Sequence, residues 1–114
     1  MKQRPLAVTV IGWVYIVAGA AVFASHLPEL ASRRVWQFDV WGVGLIELAA
    51  VVAGIFLLRG RNWARWMAVA WIGFHVVVSA WNAWSRFAVH GVIFAGIAWL
   101  LFRRDAGRYF QASA

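Results

Sequence analysis

The chain has 114 residues, of which 64% are hydrophobic and 13% are charged, and its formal net charge is +7. Soluble domains are about 45–50% apolar and about 25% charged, and a soluble chain this short buries only ~60–70% of its unfolded surface. The composition therefore excludes an ordinary soluble domain. It indicates one transmembrane domain over residues 1–114. The arginines lie at the ends of apolar runs, where they would meet lipid headgroups, so we expect the lipid bilayer and no nucleic acid as a partner.

The first apolar run covers residues 6–24 and follows Lys2, Arg4 and Pro5. Its length is close to the ~20 residues that a helix needs to cross the hydrocarbon core. A secretory signal is the alternative, because Lys2 and Arg4 resemble the basic start of such a signal. The apolar part of a signal is only ~7–15 residues long, so the run favours an uncleaved first span.

Residues 25–39 form the predicted outer loop. Pro28 suits a first helical turn, and Glu29 suits the positive end of a helix dipole. Two interpretations stay open: a short helix that lies on the membrane interface, or an irregular loop that Trp36 and Phe38 anchor there.

The second predicted span covers residues 40–58 and contains one charged residue, Glu47. Gly44, Glu47, Ala50 and Gly54 follow one another at steps of three and four residues. They therefore share one face of the helix. Because the side chains on this face are small apart from that of Glu47, we expect the face to pack against another helix.

A basic turn over residues 59–62 leads into the third span, residues 63–84, on which three polar residues share one side. These are His75, Ser79 and Asn82, spaced by four and three. A tight connection at Ser85 and Arg86 is then expected to start the fourth span.

The fourth span is predicted over residues 87–102, with His90 near its start. Gly91 and Ala95 are spaced by four and give this helix a small-residue face, the kind of surface on which membrane helices approach one another closely. At least one of the two small faces should therefore remain for another chain. We expect the basic tail, residues 103–114, to fray.

The distribution of positive charge predicts the orientation. Eight Lys and Arg residues lie on the side of the two termini and three on the other. Since the side richer in Lys and Arg stays in the cytoplasm, both termini should be cytoplasmic. The predicted fold is an all-α integral membrane four-helix bundle with up-down antiparallel helices.

Three terminal motifs resemble those of small uncharacterised four-span bacterial membrane proteins. They are residues 4–9 (RPLAVT), residues 61–66 (RNWARW) and the stretch from Arg103 to Phe110. The resemblance implies the four-span fold and multi-pass insertion in a bacterial inner (plasma) membrane. It implies no activity and no role for any residue.

The candidate intramembrane polar site consists of Glu47, His75, Ser79, Asn82 and His90, with Glu47 and His75 at its centre. These two lie at similar distances from the basic turn, so an antiparallel hairpin would bring them to one depth near the centre of a ~30 Å core. A carboxyl group there is costly and often serves proton relay or ion coupling. Alternatively, a neutral Glu47 could hydrogen-bond His75 or Tyr15 and hold the helices together.

No enzyme activity, metal or other cofactor is expected. The chain has no cysteine for thiolate ligands, and no nucleophile motif lies beside a histidine. A haem or metal between His75 and His90 would need both at one depth, whereas the helical rise predicts His90 about 10 Å nearer the outer face.

Two functions remain open from the sequence. The first is a structural or accessory membrane protein that associates with itself or with a larger complex. The second is a proton-coupled small-molecule transporter that works as a dimer through Glu47, similar in length and span number to small multidrug transporters. Those transporters carry their essential acid in the first span, which has no acid here.

Overall fold

The structure of the protein is a computed structural model that describes residues 4–28 and 38–112, without the side chains of 38–41, 43 and 112. Every element in these ranges is helical, which confirms the predicted all-α class. Most of the predicted outer loop, residues 29–37, lies outside the described residues, and so do the two interpretations that were proposed for it.

Four long helices and one short helix make up the described chain. They are α1 (Leu6–Ser25), α2 (Phe38–Leu58), α3 (Asn62–Asn82), α4 (Trp84–Phe102) and α5 (Arg104–Ala112). Three of them, α1, α3 and α4, are long and apolar enough to cross a membrane. In α2, whose first residues are only partly described, the apolar stretch Gly44–Leu58 is shorter.

The closest packing in the chain joins α1 to α2 in antiparallel contact. A Cβ atom added to Gly54 would lie 2.5 Å from the carbonyl oxygen of Gly12, and one added to Gly19 would lie 2.7 Å from that of Glu47. Only a residue without a side chain permits such an approach of two backbones. The glycines therefore determine how close these two helices lie.

Gly60 ends α2 and turns the chain into α3. Its φ of 76° is in the left-handed region that favours glycine. The amide of Gly60 donates to the carbonyl of Leu57 at 3.1 Å, and the amide of Arg61 donates to that of Phe56 at 3.0 Å. This pair of bonds is the Schellman motif, and it places α3 antiparallel to α2.

The connection between α3 and α4 differs from the prediction. The helices are separated by Ala83 alone, whose extended backbone (φ −163°, ψ 133°) interrupts the helix. Ser85 and Arg86, which were predicted to form the connection, lie in the first turn of α4. The prediction was wrong because polar residues suggested the turn, although a first helical turn accommodates polar residues equally well.

The tail also differs from the prediction, because residues 104–112 form α5 rather than a frayed end. Ala106 and Phe110 of this helix are fully or almost fully buried. The hydroxyl of Tyr109 donates to the carbonyl of Leu58 at 2.6 Å. The spacing of 106, 109 and 110 is that of one helix face, and this signal could have predicted a docked helix.

One end of the molecule brings together several of the arginine-bearing segments that the structure describes. Besides accepting from Tyr109, the carbonyl of Leu58 accepts from Nη1 of Arg4 at 3.0 Å. These bonds bring the start of α1, the end of α2 and the helix α5 together. We call this region, with the turn at 59–61, the basic end.

Candidate functional site

Glu47 lies on the inner face of α2, with 8% of its surface exposed. Gly44, Ala50 and Gly54, which share this face, are buried as well. Ala50 lies next to Gly19 of α1, as does the backbone of Glu47. The four residues that were singled out on α2 are thus all directed at protein rather than away from it.

Two histidines from neighbouring helices meet on the inner side of α3 and α4. The ring centroids of His75 and His90 are 6.2 Å apart, and the hydroxyl of Ser79 lies 2.8 Å from Nδ1 of His90. The predicted difference of about 10 Å in depth is therefore wrong. The helix break at Ala83 lengthens α4 at its start, and this places His90 beside Ser79.

Hydrogen bonds to the backbone orient both imidazole rings. Nδ1 of His75 lies 2.9 Å from the carbonyl of Trp71, and Nδ1 of His90 lies 2.8 Å from the carbonyl of Arg86. A carbonyl only accepts, so these bonds favour a proton on Nδ1 of each neutral ring. Nε2 of each ring then keeps the lone pair that can take up a further proton.

An aromatic row links α1 to these histidines. The ring of Trp71 lies between that of Tyr15, with centroids 5.2 Å apart, and that of His75, at 4.0 Å. Its indole Nε1 donates to the carbonyl of Ile46 at 2.8 Å, and the hydroxyl of Tyr15 donates to the carbonyl of Ala68 at 2.7 Å. The polar groups of Tyr15 and Trp71 therefore each have a partner in a neighbouring helix.

The sequence interpretation missed Trp71 as part of the site. Its position four residues before His75, on the same helix face, was the available signal. With nine tryptophans in the chain, that signal was difficult to separate from tryptophans at the membrane interface.

A cavity of about 210 Å³ lies between α1, α3 and α4. Its polar lining comes from Tyr15, Trp71, His75 and His90, and aliphatic side chains form the remainder. The space is larger than the ~30 Å³ that one water occupies in the liquid. It is large enough for several waters or a small ligand beside the two imidazoles.

Glu47 is buried on α2 and does not line this cavity. Within the described residues, no hydrogen bond joins Glu47 to His75.

Asn82 lies outside the group, although it was predicted as part of the polar stripe. Its side chain is exposed and donates to the carbonyl of Val78, one turn earlier in α3, at 2.8 Å. The site that the structure assembles therefore consists of His75, Ser79 and His90, and Glu47 is buried on the neighbouring helix α2.

The chemistry available to this site is proton binding and hydrogen bonding. Among the residues that the structure describes, no group of three His, Asp or Glu side chains is arranged to hold a metal ion. The imidazoles of His75 and His90, both partly shielded, can each bind a proton.

Comparisons with protein families, with characterised proteins and with solved structures find no match to this chain. Its function is therefore argued from its own residues.

Proposed function

We propose that the protein is a self-associating structural or accessory subunit of a bacterial inner membrane. It spans that membrane four times, through α1 to α4, with both termini in the cytoplasm. The exposed small-residue face of α4 supports self-association most directly. The grouping of positive charge at one end of the helices supports the orientation.

The α4 face comprises Ala88, Gly91, Ala95 and Ala98, which follow one another at steps of three and four residues. Ala88 and Ala95 are exposed, and a Cβ atom added to Gly91 would meet no atom within 4 Å. Small residues at this spacing let a second helix approach closely. The same face on another copy offers the matching surface, so the proposed occupant is a second copy of the chain.

The exposed surface of α1 makes a useful contrast. Its first part is formed by bulky side chains such as Trp13, Val14 and Val17, each more than half exposed, and exposed alanines such as Ala18 and Ala21 follow only nearer its end. Bulky apolar side chains fill the space between lipid tails, whereas a line of alanines and glycine leaves a groove. This difference favours α4 over α1 as the contact between copies.

Disulfide crosslinking in membranes tests the proposal, because the natural chain has no cysteine. Ala95→Cys should give a crosslinked dimer under mild oxidation. The matched control is Val52→Cys on α2, an exposed position at a similar number of residues from the basic end. A dimer that forms equally with both variants, or with neither, would contradict association through α4.

Topology has its own test. A reporter fused after Ala114 should be active in the cytoplasm, and one inserted near Ser32 should be active only outside it. A C-terminal fusion that is active only after export would contradict the orientation.

A proton-coupled transporter is the second candidate function, favoured by one observation. His75 and His90 line a cavity, Glu47 is buried on α2, and shielded proton-binding groups inside a membrane commonly serve coupling. The first span has no acid, unlike that of the small multidrug transporters.

Glu47→Gln separates the two candidates. The amide keeps the shape of the side chain and its hydrogen-bonding capacity but cannot exchange a proton. A structural subunit should keep its fold and its Ala95→Cys crosslink in this background. A transporter should keep both and lose uptake driven by a pH gradient across reconstituted vesicles.

A further inference from the structure

Two adjoining surface cavities lie where α4 meets α5, at the basic end. Their volumes are about 380 and 430 Å³. Arg103, Arg104 and Arg108 line both of them, and Arg65 of α3 lines the first. Four guanidinium groups thus converge here, and Asp105 is the one acid in the lining.

Arg65 is the residue that this environment leaves unsatisfied. It is 9% exposed, and its guanidinium carbon lies 4.5 Å from the ring centre of Phe102 and 5.4 Å from that of Phe110. Nη1 makes one long hydrogen bond, 3.4 Å, to the carbonyl of Leu101. Nε is buried with no partner among the described residues. A buried guanidinium without an anion is costly.

The other arginines are not neutralised either. Nε of Arg103 lies 3.7 Å from the carboxylate of Asp105, where both side chains are about half exposed, and such a pair contributes little. In the part of the chain that the structure describes, neither Arg104 nor Arg108 has an acidic partner. The cavities therefore carry a surplus of positive charge that an anion would complement.

We propose that these cavities bind the phosphate group of an anionic phospholipid. Guanidinium groups bind phosphate oxygens through paired hydrogen bonds. The site is at the end of α4, one of the helices that could span the membrane. The lipid tails can continue along the flank of α4 that Trp99 and Val92 form, with 65% and 74% of their surfaces exposed.

Trp99 connects the headgroup region to this flank. The guanidinium carbon of Arg103 lies 4.7 Å from its ring centre, and Trp99 lines the second cavity. Residues 92 and 99 are seven apart and so share one side of the helix, and each lies one turn after a residue of the small α4 face, Ala88 or Ala95. A lipid tail there would lie at the edge of the proposed contact between copies. A soluble phosphate would use the arginines but would leave this apolar flank unused, and for that reason we assign the site to a lipid.

Native mass spectrometry of the purified full-length protein tests the proposal. The protein is released from micelles that contain equal amounts of phosphatidylglycerol and phosphatidylcholine. Phosphatidylglycerol should remain bound in preference to phosphatidylcholine. The double variant R104Q/R108Q should retain about tenfold less of it, as expected from the loss of hydrogen bonds between charged groups.

The matched control is R59Q/R61Q, which removes the same charge from the same end but outside the cavities. It should retain phosphatidylglycerol as the natural protein does. An equal loss in both double variants would mean a nonspecific effect of charge and would overturn the proposal. Failure of the natural protein to prefer phosphatidylglycerol would overturn it too.

Inorganic phosphate distinguishes the two sources of the anion. If the site belongs to a lipid, millimolar phosphate should leave the retained phosphatidylglycerol unchanged. Displacement by phosphate would show a site for a soluble anion and contradict the assignment. Circular dichroism of R104Q/R108Q should match that of the natural chain, because Ala106 and Phe110, rather than the exposed arginines, hold α5 in place.

Discussion

The contact between α1 and α2 and the outer face of α4 both contain small residues, but only the first is occupied. At Gly12, Gly19 and Gly54, any added Cβ atom would come within 2.5–2.7 Å of the neighbouring helix. At Gly91 and Gly96 it would meet nothing within 4 Å. The same sequence signal thus marks a contact that the chain completes by itself and a face that it leaves open.

This difference indicates that small residues are used in two ways in one chain. Between α1 and α2 they bring backbones together, where dispersion forces and close fit stabilise the pair. On α4 they stabilise nothing within the described chain. Substitutions at the two places should therefore affect different measurements, namely unfolding of the single chain and association of two chains.

Gly54→Leu should have the largest effect. Its side chain would collide with the backbone of Gly12, which cannot move without separating α1 from α2. We expect a loss of about 3 kcal/mol or more in the free energy of unfolding, measured by titration with SDS in mixed micelles. The control is Gly96→Leu, which should unfold at nearly the same SDS fraction as the natural protein. Equal stability of the two variants would break the comparison.

Gly91→Leu should leave unfolding unchanged and weaken association. The leucine has open space in the single chain, but it would hold a second α4 away. We expect the dimer to lose about 1–2 kcal/mol, seen as a roughly tenfold lower dimerisation constant in an energy-transfer assay in vesicles. If Gly91→Leu dimerised normally but unfolded more easily, the α4 face would stabilise the single chain and would not be the contact between copies.

Tyr15→Phe tests the packed side of α1 with a smaller change. It removes the hydroxyl that donates to Ala68 at 2.7 Å and keeps the ring against Trp71. The loss of this hydrogen bond should cost about 1 kcal/mol in the same SDS titration. Thr9→Val, at a partly buried position near the basic end of the same helix, is the comparison variant, and it should cost less.

Ser79→Ala should have the smallest effect. Ser79 is buried, and its hydroxyl contacts Nδ1 of His90 at 2.8 Å. Because His90 keeps the carbonyl of Arg86 as a partner, we expect a loss of about 0.5 kcal/mol. If Ser79→Ala and His90→Phe both lost much more stability than this, the contact between α3 and the inner face of α4 would stabilise the chain more than we expect.

The sequence was informative wherever a long apolar run determined the outcome. A run of this length forms a helix because a backbone in lipid has no water to satisfy its hydrogen bonds. The basic turn could also be predicted, since glycine at position 60 adopts a left-handed conformation that other residues rarely adopt. Residue spacing also predicted that the inner face of α2 carries small side chains and one acid, Glu47.

The sequence was uninformative where one residue, Ala83, determined how α4 is positioned along α3. Ala83 carries no turn signal, yet its extended backbone places His90 beside Ser79 and brings the two histidines within 6.2 Å. Helical rise counted from Ser85 and Arg86 could not reveal this, because an error of a few residues rotates a helix face away from its neighbour.

By itself, then, the amino-acid sequence determined the four long helices, the basic turn and the residues able to bind protons, since these depend on composition and local spacing. The tertiary structure alone decided which small faces meet, which histidines share a cavity and which arginine is buried without an acidic partner. Those outcomes depend on the distances between helices and on their rotation, and both result from the packing of all the side chains together.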